Sequence, residues 1–512
     1  MLTPASTASH SRRVVRHHPP RIGLRLPNLA THEETDSVRR TNAAIRRLLE
    51  ARYEIVEPSS ADLVVAGGLA LEDAAGPARL IFPHGALGDP GHWLLTVPQL
   101  RVCDTLAFSS SSDIAIWDRL AGSPSCAHTL MPLFVDTELF CPKTNLRNET
   151  RRRWNLPLDA PLLMTVSSID AQKNVQSALL LLREIRRSLP QAQCAIVGDG
   201  DVKARAYLES LAQRMGIRAA THFLGPVSPR ELASLYNAAD LLVHLTLNRK
   251  ENFGLVSVEA QASGLPVLAA KWGGVRDTLV HGETGYFADT YLVGGERRVD
   301  WYALVEPALR LLTYTNEREK FAISARRFAE RQFSHDAFRR RLYEFIDTWG
   351  SCAGPERDMT TRTCLSSATH SLLVAFVTRA LEHPEAKDSK EISDWLRTPH
   401  GGVHAYRIIH EQMASVGPPT AKENHALYRM VDAGYGEDSR CVTVHDPLWS
   451  GQHQLSSVQA CVWNHLEKPQ AYEAIHEAVQ QTAALTTHEI DQALNELIQL
   501  GLVGCTATTV PR

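Results

Sequence analysis

Between residues 161 and 270 the chain repeats one pattern, a short apolar run followed by a helical stretch, and few folds accept it. Pro161–Val166, Ala195–Gly198, Thr221–Leu224, Asp240–Leu245 and Pro266–Ala270 read as strands. Val175–Ser188, Lys203–Met215, Pro229–Asn237 and Gly254–Ser263 read as the helices between them. Near-continuous apolar strands with short connections fit a parallel sheet covered by helices on both faces. Ligands of such doubly wound sheets sit beyond the C-terminal strand ends. A looser series of the same kind lies upstream. Its apolar runs are 62–68, 78–82 and 105–109, after a helical stretch over 41–52.

Composition excludes several functions. With 54 basic against 57 acidic residues the net charge is −3, so no general field exists to hold a nucleic acid. The 9 cysteines form no Cys-x-x-Cys pair, which argues against a disulfide framework and a zinc ribbon. No run approaches the ~20 apolar residues of a membrane span. The basic start has no apolar segment behind it, so it is read as an extension and not a secretory signal, and the chain as cytoplasmic.

The densest chemistry is Glu251-Asn252-Phe253-Gly254-Leu255, running on to Glu259. A polar loop and a glycine stand at the mouth of a helix, whose N–H groups and dipole suit a diphosphate. Glu251 in the loop and Glu259 on the helix offer acceptors eight residues apart, for sugar hydroxyls and for a ribose diol. Asp199-Gly200-Asp201 falls in a strand-to-helix turn, where the acids read as helix caps rather than metal ligands. His400, His404, His410 and His425 lack a recognisable ligand spacing and are read as ordinary residues.

With these elements the sequence resembles the family 4 glycosyltransferases of the GT-B fold. Glu251 and Glu259 match the family's Glu-x7-Glu element. Phe134–Phe140, Ile196–Gly200, Phe223–Val227, Leu235–Asp240, Gly273-Gly274 and Gly282–Gly285 follow in the family's order. The resemblance covers about 130–350, is weaker over 20–130 and stops after 351. It implies two Rossmann-like lobes facing a cleft, and a retaining, metal-independent transfer of a hexosyl-type sugar. A nucleoside diphosphate sugar is the co-substrate, and no further cofactor is required.

The resemblance also assigns residues. Lys173 falls on the phosphate-binding lysine, and His84 on the histidine that faces the donor sugar. Ser168 stands where the family usually has arginine. Gly225 and Val227 mark the backbone near the nucleobase, and Asn252, Phe253, Gly254 and Leu255 the donor loop. The glycine-rich first loop is missing from 28–37. His84, Lys173 and Glu251 are the expected catalytic set.

The expected division is a disordered extension over 1–20, an acceptor-side lobe over 21–141 and a donor-side lobe over 142–350. The resemblance implies that the donor-side part includes a segment, 334–349, that crosses back to the first lobe. An accessory α-rich domain follows over 351–512. Its tail, 454–512, has apolar residues at helical spacing and resembles the small winged-helix units with which peptide-modifying enzymes hold a leader peptide. Lys468 and Arg512 face six acids there, against DNA binding. Three readings stay open: a glycosyltransferase acting on a small molecule or glycan, a peptide glycosyltransferase guided by this tail, and a catalytically degenerate nucleotide-sugar-binding scaffold. The accessory domain is also the expected surface for a homo-oligomer.

Overall fold

The computed structural model describes residues 19–26, 36–68, 76–84, 100–101, 103–121, 126–200, 202–293, 296–352, 414, 426–429, 443–446, 451–466, 468–500 and 502–506. The expected extension over 1–18, the segment 28–35, most of 351–450 and the four histidines from His400 to His425 lie outside these residues.

The first lobe carries β1 (Ile22–Arg25), α1 (Asp36–Glu50), β2 (Ile55–Val56), β3 (Leu63–Gly67), β4 (Ala78–Phe82), β5 (Thr105–Phe108), α2 (Ser111–Ala121) and β6 (Ala127–Leu130). Its strands form one parallel sheet in the order β2-β1-β3-β4-β5-β6. Every residue of β3, β4 and β5 is buried, as both faces of a covered parallel sheet demand.

After α3 (Leu146–Arg153) the second lobe runs β7 (Leu162–Val166), α4 (Val175–Ser188), β8 (Gln193–Val197), α5 (Val202–Arg214), β9 (Thr221–Gly225), α6 (Pro229–Ala238), β10 (Leu241–His244), α7 (Leu255–Ala262), β11 (Val267–Ala270) and β12 (Gly285–Ala288). These strands pair in parallel in the order β12-β11-β10-β7-β8-β9. The order reverses between β7 and β10, so the loops after those two strands diverge and leave a crevice. A short antiparallel hairpin, β13 (Thr290–Val293) with β14 (Glu296–Val299), leads to α8 (Val305–Thr313) and α9 (Thr315–Phe333).

The last helix of this part, α10 (His335–Cys352), returns to the first lobe. Phe338, Leu342, Ile346 and Trp349 are buried in the same cluster as Ile22, Leu49, Leu63 and Phe82. Asp347 accepts hydrogen bonds from Arg52 at 2.6 Å and from the Tyr53 hydroxyl at 3.0 Å. The chain thus crosses between lobes at two adjacent points, where Val135 N–H donates to Phe333 O at 2.8 Å.

The C-terminal part shows β15 (Ala426–Arg429), β16 (Thr443–Asp446), β17 (Gly451–Gln454), α11 (Ser457–Asn464), β18 (Gln470–Ala471), α12 (Tyr472–Thr482), α13 (Thr487–Gln499) and β19 (Val503–Thr506). The sheet order is β18-β15-β19, antiparallel, with β16–β17 a separate hairpin. Leu427, Val462, Trp463, Ile475, Leu494 and Leu497 share a core of their own.

Candidate active site

The C-terminal ends of the second lobe's strands gather most of the sequence-derived site residues. Beyond β7, Asp170 accepts from the N–H groups of Gln172 and Lys173 and so caps a single 3-10 turn, Ala171–Lys173. Ser168 donates to the same carboxylate at 2.7 Å. Ser168, where the resemblance leads one to expect an arginine, is thus a hydroxyl that braces the lysine turn.

Beyond β10 the chain makes a compact loop. Asn248 orders it, accepting from Lys250 N–H on its side chain and from Glu251 N–H on its carbonyl. Leu247 N–H donates to Gln172 O at 2.9 Å, which ties this loop to the lysine turn. Lys173 Nζ and Glu251 Oε2 then meet at 2.9 Å, and Thr246 donates to the same oxygen at 3.2 Å. The sequence reading gave the two residues separate partners, a diphosphate and a sugar hydroxyl. The folded chain joins them directly, because their loops flank the point where the strand order reverses.

The pair is largely enclosed, with side-chain exposures of 20% and 13%. Burial acts to raise the Glu251 pKa, but the charges of Lys173 and His244 and the hydrogen bonds outweigh it and hold the carboxyl at about 2. Lys173 is opposed by burial and raised by Glu251. His244, the buried last residue of β10, is pushed down to about 4 by desolvation. Thr246 and His244 are site residues that sequence motifs do not reveal. Their only signal is position, at the end of a strand bordering the crevice.

Gly254 opens α7 with φ of +91°, a left-handed conformation that favours glycine. Helix geometry leaves the first N–H groups, from Leu255 and Val256, without partners inside the helix. Gly274 serves closeness rather than torsion: a Cβ there would lie 2.0 Å from Asn252 O. Its N–H donates to Glu251 O at 3.0 Å, so the segment Gly273–Asp277 lies directly against the donor loop. Phe253 is buried edge-on against Phe333, with ring centroids 5.4 Å apart.

Glu259 is 7% exposed on α7, and one oxygen takes a hydrogen bond from Tyr236 at 3.3 Å. Burial pushes its pKa up to about 7, while Arg40 on α1 of the first lobe and the Tyr236 hydroxyl oppose the rise. Tyr236 lies in the stretch 235–240 that resembles the family, but the reach of its hydroxyl to Glu259 on α7 is seen only in the folded chain. Gly225 ends β9 with φ of +75°, and Val227 packs half-buried in the loop before α6. That loop ends at Ser228, which forms a capping box with Glu231. Asp199 accepts from Gly200 N–H, and Asp201 lies outside the described residues. Among the described residues no cluster of three His, Cys, Asp or Glu could hold a metal.

From the first lobe, His84 follows β4 and is held by Asn42 at 2.8 Å. Burial alone pushes its pKa down to about 4. The two lobes meet beside the donor loop. Asn252 Nδ2 donates to Ser109 Oγ at 2.8 Å, and Ser111 donates to Asp277 Oδ1 at 2.7 Å. Ser109 Oγ also lies 3.2 Å from Asn252 O and 3.3 Å from the buried Asp113 carboxylate.

Comparison with known proteins places the chain among glycosyltransferase-like sequences and folds. Residues 147–328 match the family model described as glycosyl transferases group 1. The D-inositol 3-phosphate glycosyltransferase of Corynebacterium kroppenstedtii is 34% identical over 266 residues, covering 43% of this chain and 57% of that protein. The protein of the same name from Thermomonospora curvata is 35% identical over 221 residues, 41% of this chain and 49% of that one. The chain spans about half the length of the curated relatives it matches. The structure of Anabaena HepE, solved in complex with UDP, superposes with a TM-score of 0.51 at 17% identity, covering 64% of this chain and 99% of that one. At that identity the likeness concerns the fold, and the chain has the two-lobed GT-B architecture with an added C-terminal region.

Proposed function

We propose that this chain is a retaining, metal-independent glycosyltransferase that moves a sugar from a nucleoside diphosphate sugar to an acceptor hydroxyl. The observation that carries this reading is the Lys173–Glu251 pair, held at 2.9 Å across the two loops that border the crevice, beside the start of α7. A diphosphate entering there draws the ammonium toward itself and frees Glu251 for the sugar. Lys173 and the N–H groups of α7 stabilise charge that grows on the departing diphosphate. Glu259 keeps one oxygen on Tyr236 and turns the other to the ribose. Gly225 and Val227 border the base, and His84 faces the sugar from the first lobe. No carboxylate is assigned as a nucleophile, so the acceptor attacks on the face the leaving group departs from.

The test is turnover of uridine, guanosine and adenosine diphosphate sugars by Lys173→Ala and Glu259→Ala. Each is expected to fall at least about tenfold, roughly 1.4 kcal/mol. Activity should persist in chelator, and the anomeric configuration of the product should match the donor. Unchanged transfer in both variants would refute the site. Tight donor binding without turnover, across acceptor candidates, would favour a degenerate nucleotide-sugar-binding scaffold, the reading that the brace from Ser168 to Asp170 keeps open.

One further observation bears on the acceptor. The C-terminal unit has a separate core and a small sheet in which, among the described residues, β18 and β19 each pair on one side only, with β15. A strand with one free edge can take up an extended peptide through its backbone. A peptide acceptor guided by this unit predicts that deleting residues 451–512 weakens acceptor binding and leaves donor hydrolysis intact. Unchanged acceptor affinity removes the peptide reading.

A further inference from the structure

We infer that Asn42 is a positioning residue that fixes which nitrogen of His84 carries the proton. Three constraints converge on the His84 ring. Its backbone has φ of +47°, a left-handed conformation in which few residues with a Cβ rest. The ring stacks on Phe82 with centroids 6.2 Å apart and planes at 22°. Its Nε2 lies 2.8 Å from Asn42 Oδ1.

Asn42 is itself boxed in. It sits on α1, is 1% exposed, and faces Gly67 at the end of β3. A Cβ at Gly67 would lie 2.5 Å from Asn42 Oδ1 and 2.9 Å from Nδ2, so the missing side chain is the room the amide occupies. An amide oxygen only accepts, so Nε2 must donate and Nδ1 keeps the lone pair. The reverse amide orientation would present N–H groups to Nε2 and place the ring proton on Nδ1. The two arrangements give the ring opposite polarity, and only the first makes Nδ1 an acceptor for a substrate hydroxyl. In either arrangement one buried amide atom is left over. Here it is Asn42 Nδ2, which has no partner among the described residues.

This inference rests on the assignment of His84 to the donor sugar, but its test does not use turnover. The full chain is labelled with 15N histidine, and a long-range proton–nitrogen spectrum is recorded at pH 7. The His84 signals are assigned by their loss in His84→Gln. The expected pattern is the Nε2–H tautomer. It should drift to a tautomer mixture in Asn42→Leu and return in Asn42→Asp, whose carboxylate also only accepts. An Nδ1–H pattern in the parent protein overturns the inference. So does an Nε2–H pattern that survives in a folded Asn42→Leu. If Asn42→Leu does not fold, the parent spectrum alone decides. A parent protein that shows the Nε2–H pattern but transfers no sugar would count against the donor reading and leave this inference standing.

Discussion

At the scale of single residues, two carboxylates of the Glu-x7-Glu element sit in opposite electrostatic environments. Glu251, paired with Lys173, is held at about 2, and Glu259, buried with Tyr236, is pushed up to about 7. Linkage gives them opposite consequences. The depressed Glu251 stabilises the fold above its unfolded value, about 4.3, and that contribution is lost as pH falls through 2. The raised Glu259 does the reverse. Its contribution is full below about 4.3 and is lost as pH rises through 7. Glu259→Gln is therefore expected to flatten the fall in stability between those values, measured by urea unfolding across pH. A slope identical to that of the parent protein would contradict the assigned burial. The spacing of Glu251 and Glu259 is legible in the sequence, but the difference between them is not. It depends on Lys173, 78 positions upstream of Glu251, and on Tyr236 from the neighbouring helix.

At the scale of elements, α3, α6 and β7 are held together by one buried carboxylate. Asp240 accepts from Arg147 at 2.8 Å, from Arg151 at 3.0 Å and from Leu162 N–H at 2.8 Å. Arg151 is fully buried and also donates to the carbonyls of Pro157, Leu158, Ala160 and Ala238. Removing the acid leaves a buried guanidinium without its counter-charge. Asp240→Ala is expected to destabilise the protein by about 3–5 kcal/mol in chemical unfolding. A loss below about 1 kcal/mol would show that solvent reaches the arginines.

The inner strands of the second lobe, β7, β8, β10 and β11, can be read from the sequence because burial on both faces makes them largely apolar, whereas the edge strand β12, half-exposed at its centre, is not read as a strand. The first lobe is harder. Its β2 has only two residues, and β6 has no fully buried position, so neither writes a clear pattern. The β13–β14 hairpin escapes the reading for a related reason. Its second strand carries Glu296, Arg297 and Arg298, and periodicity does not foresee that both arginines are buried.

At the scale of the whole molecule, the lobes are joined by a crossing pair of chain segments and by a polar seam. The crossing is expected from the family resemblance, which places 334–349 back on the first lobe, and not from any pattern in those residues. The seam is not, because serines in Ser109–Ser112 look like an ordinary loop. Its logic comes from proton counting. Ser109 owns one hydroxyl proton and has two acceptors near it, the Asp113 carboxylate in its own lobe and the Asn252 carbonyl in the other. Burial pushes Asp113 up to about 7, with Asp277 adding to the rise and the hydroxyls of Ser109 and Ser110 opposing it. A protonated Asp113 leaves the serine's proton to the opposite lobe, and an ionised one claims it. The seam behaves as a latch with one adjustable link: the bonds from Asn252 Nδ2 to Ser109 and from Ser111 to Asp277 hold the lobes either way, and whichever side takes the serine proton decides whether a third bond is added beside the donor loop. The latch should weaken as pH rises through 7, and Asp113→Asn should remove that dependence. The distance between labels on the two lobes, followed from pH 6 to 8, reads it directly, and an identical profile in parent and variant would refute it.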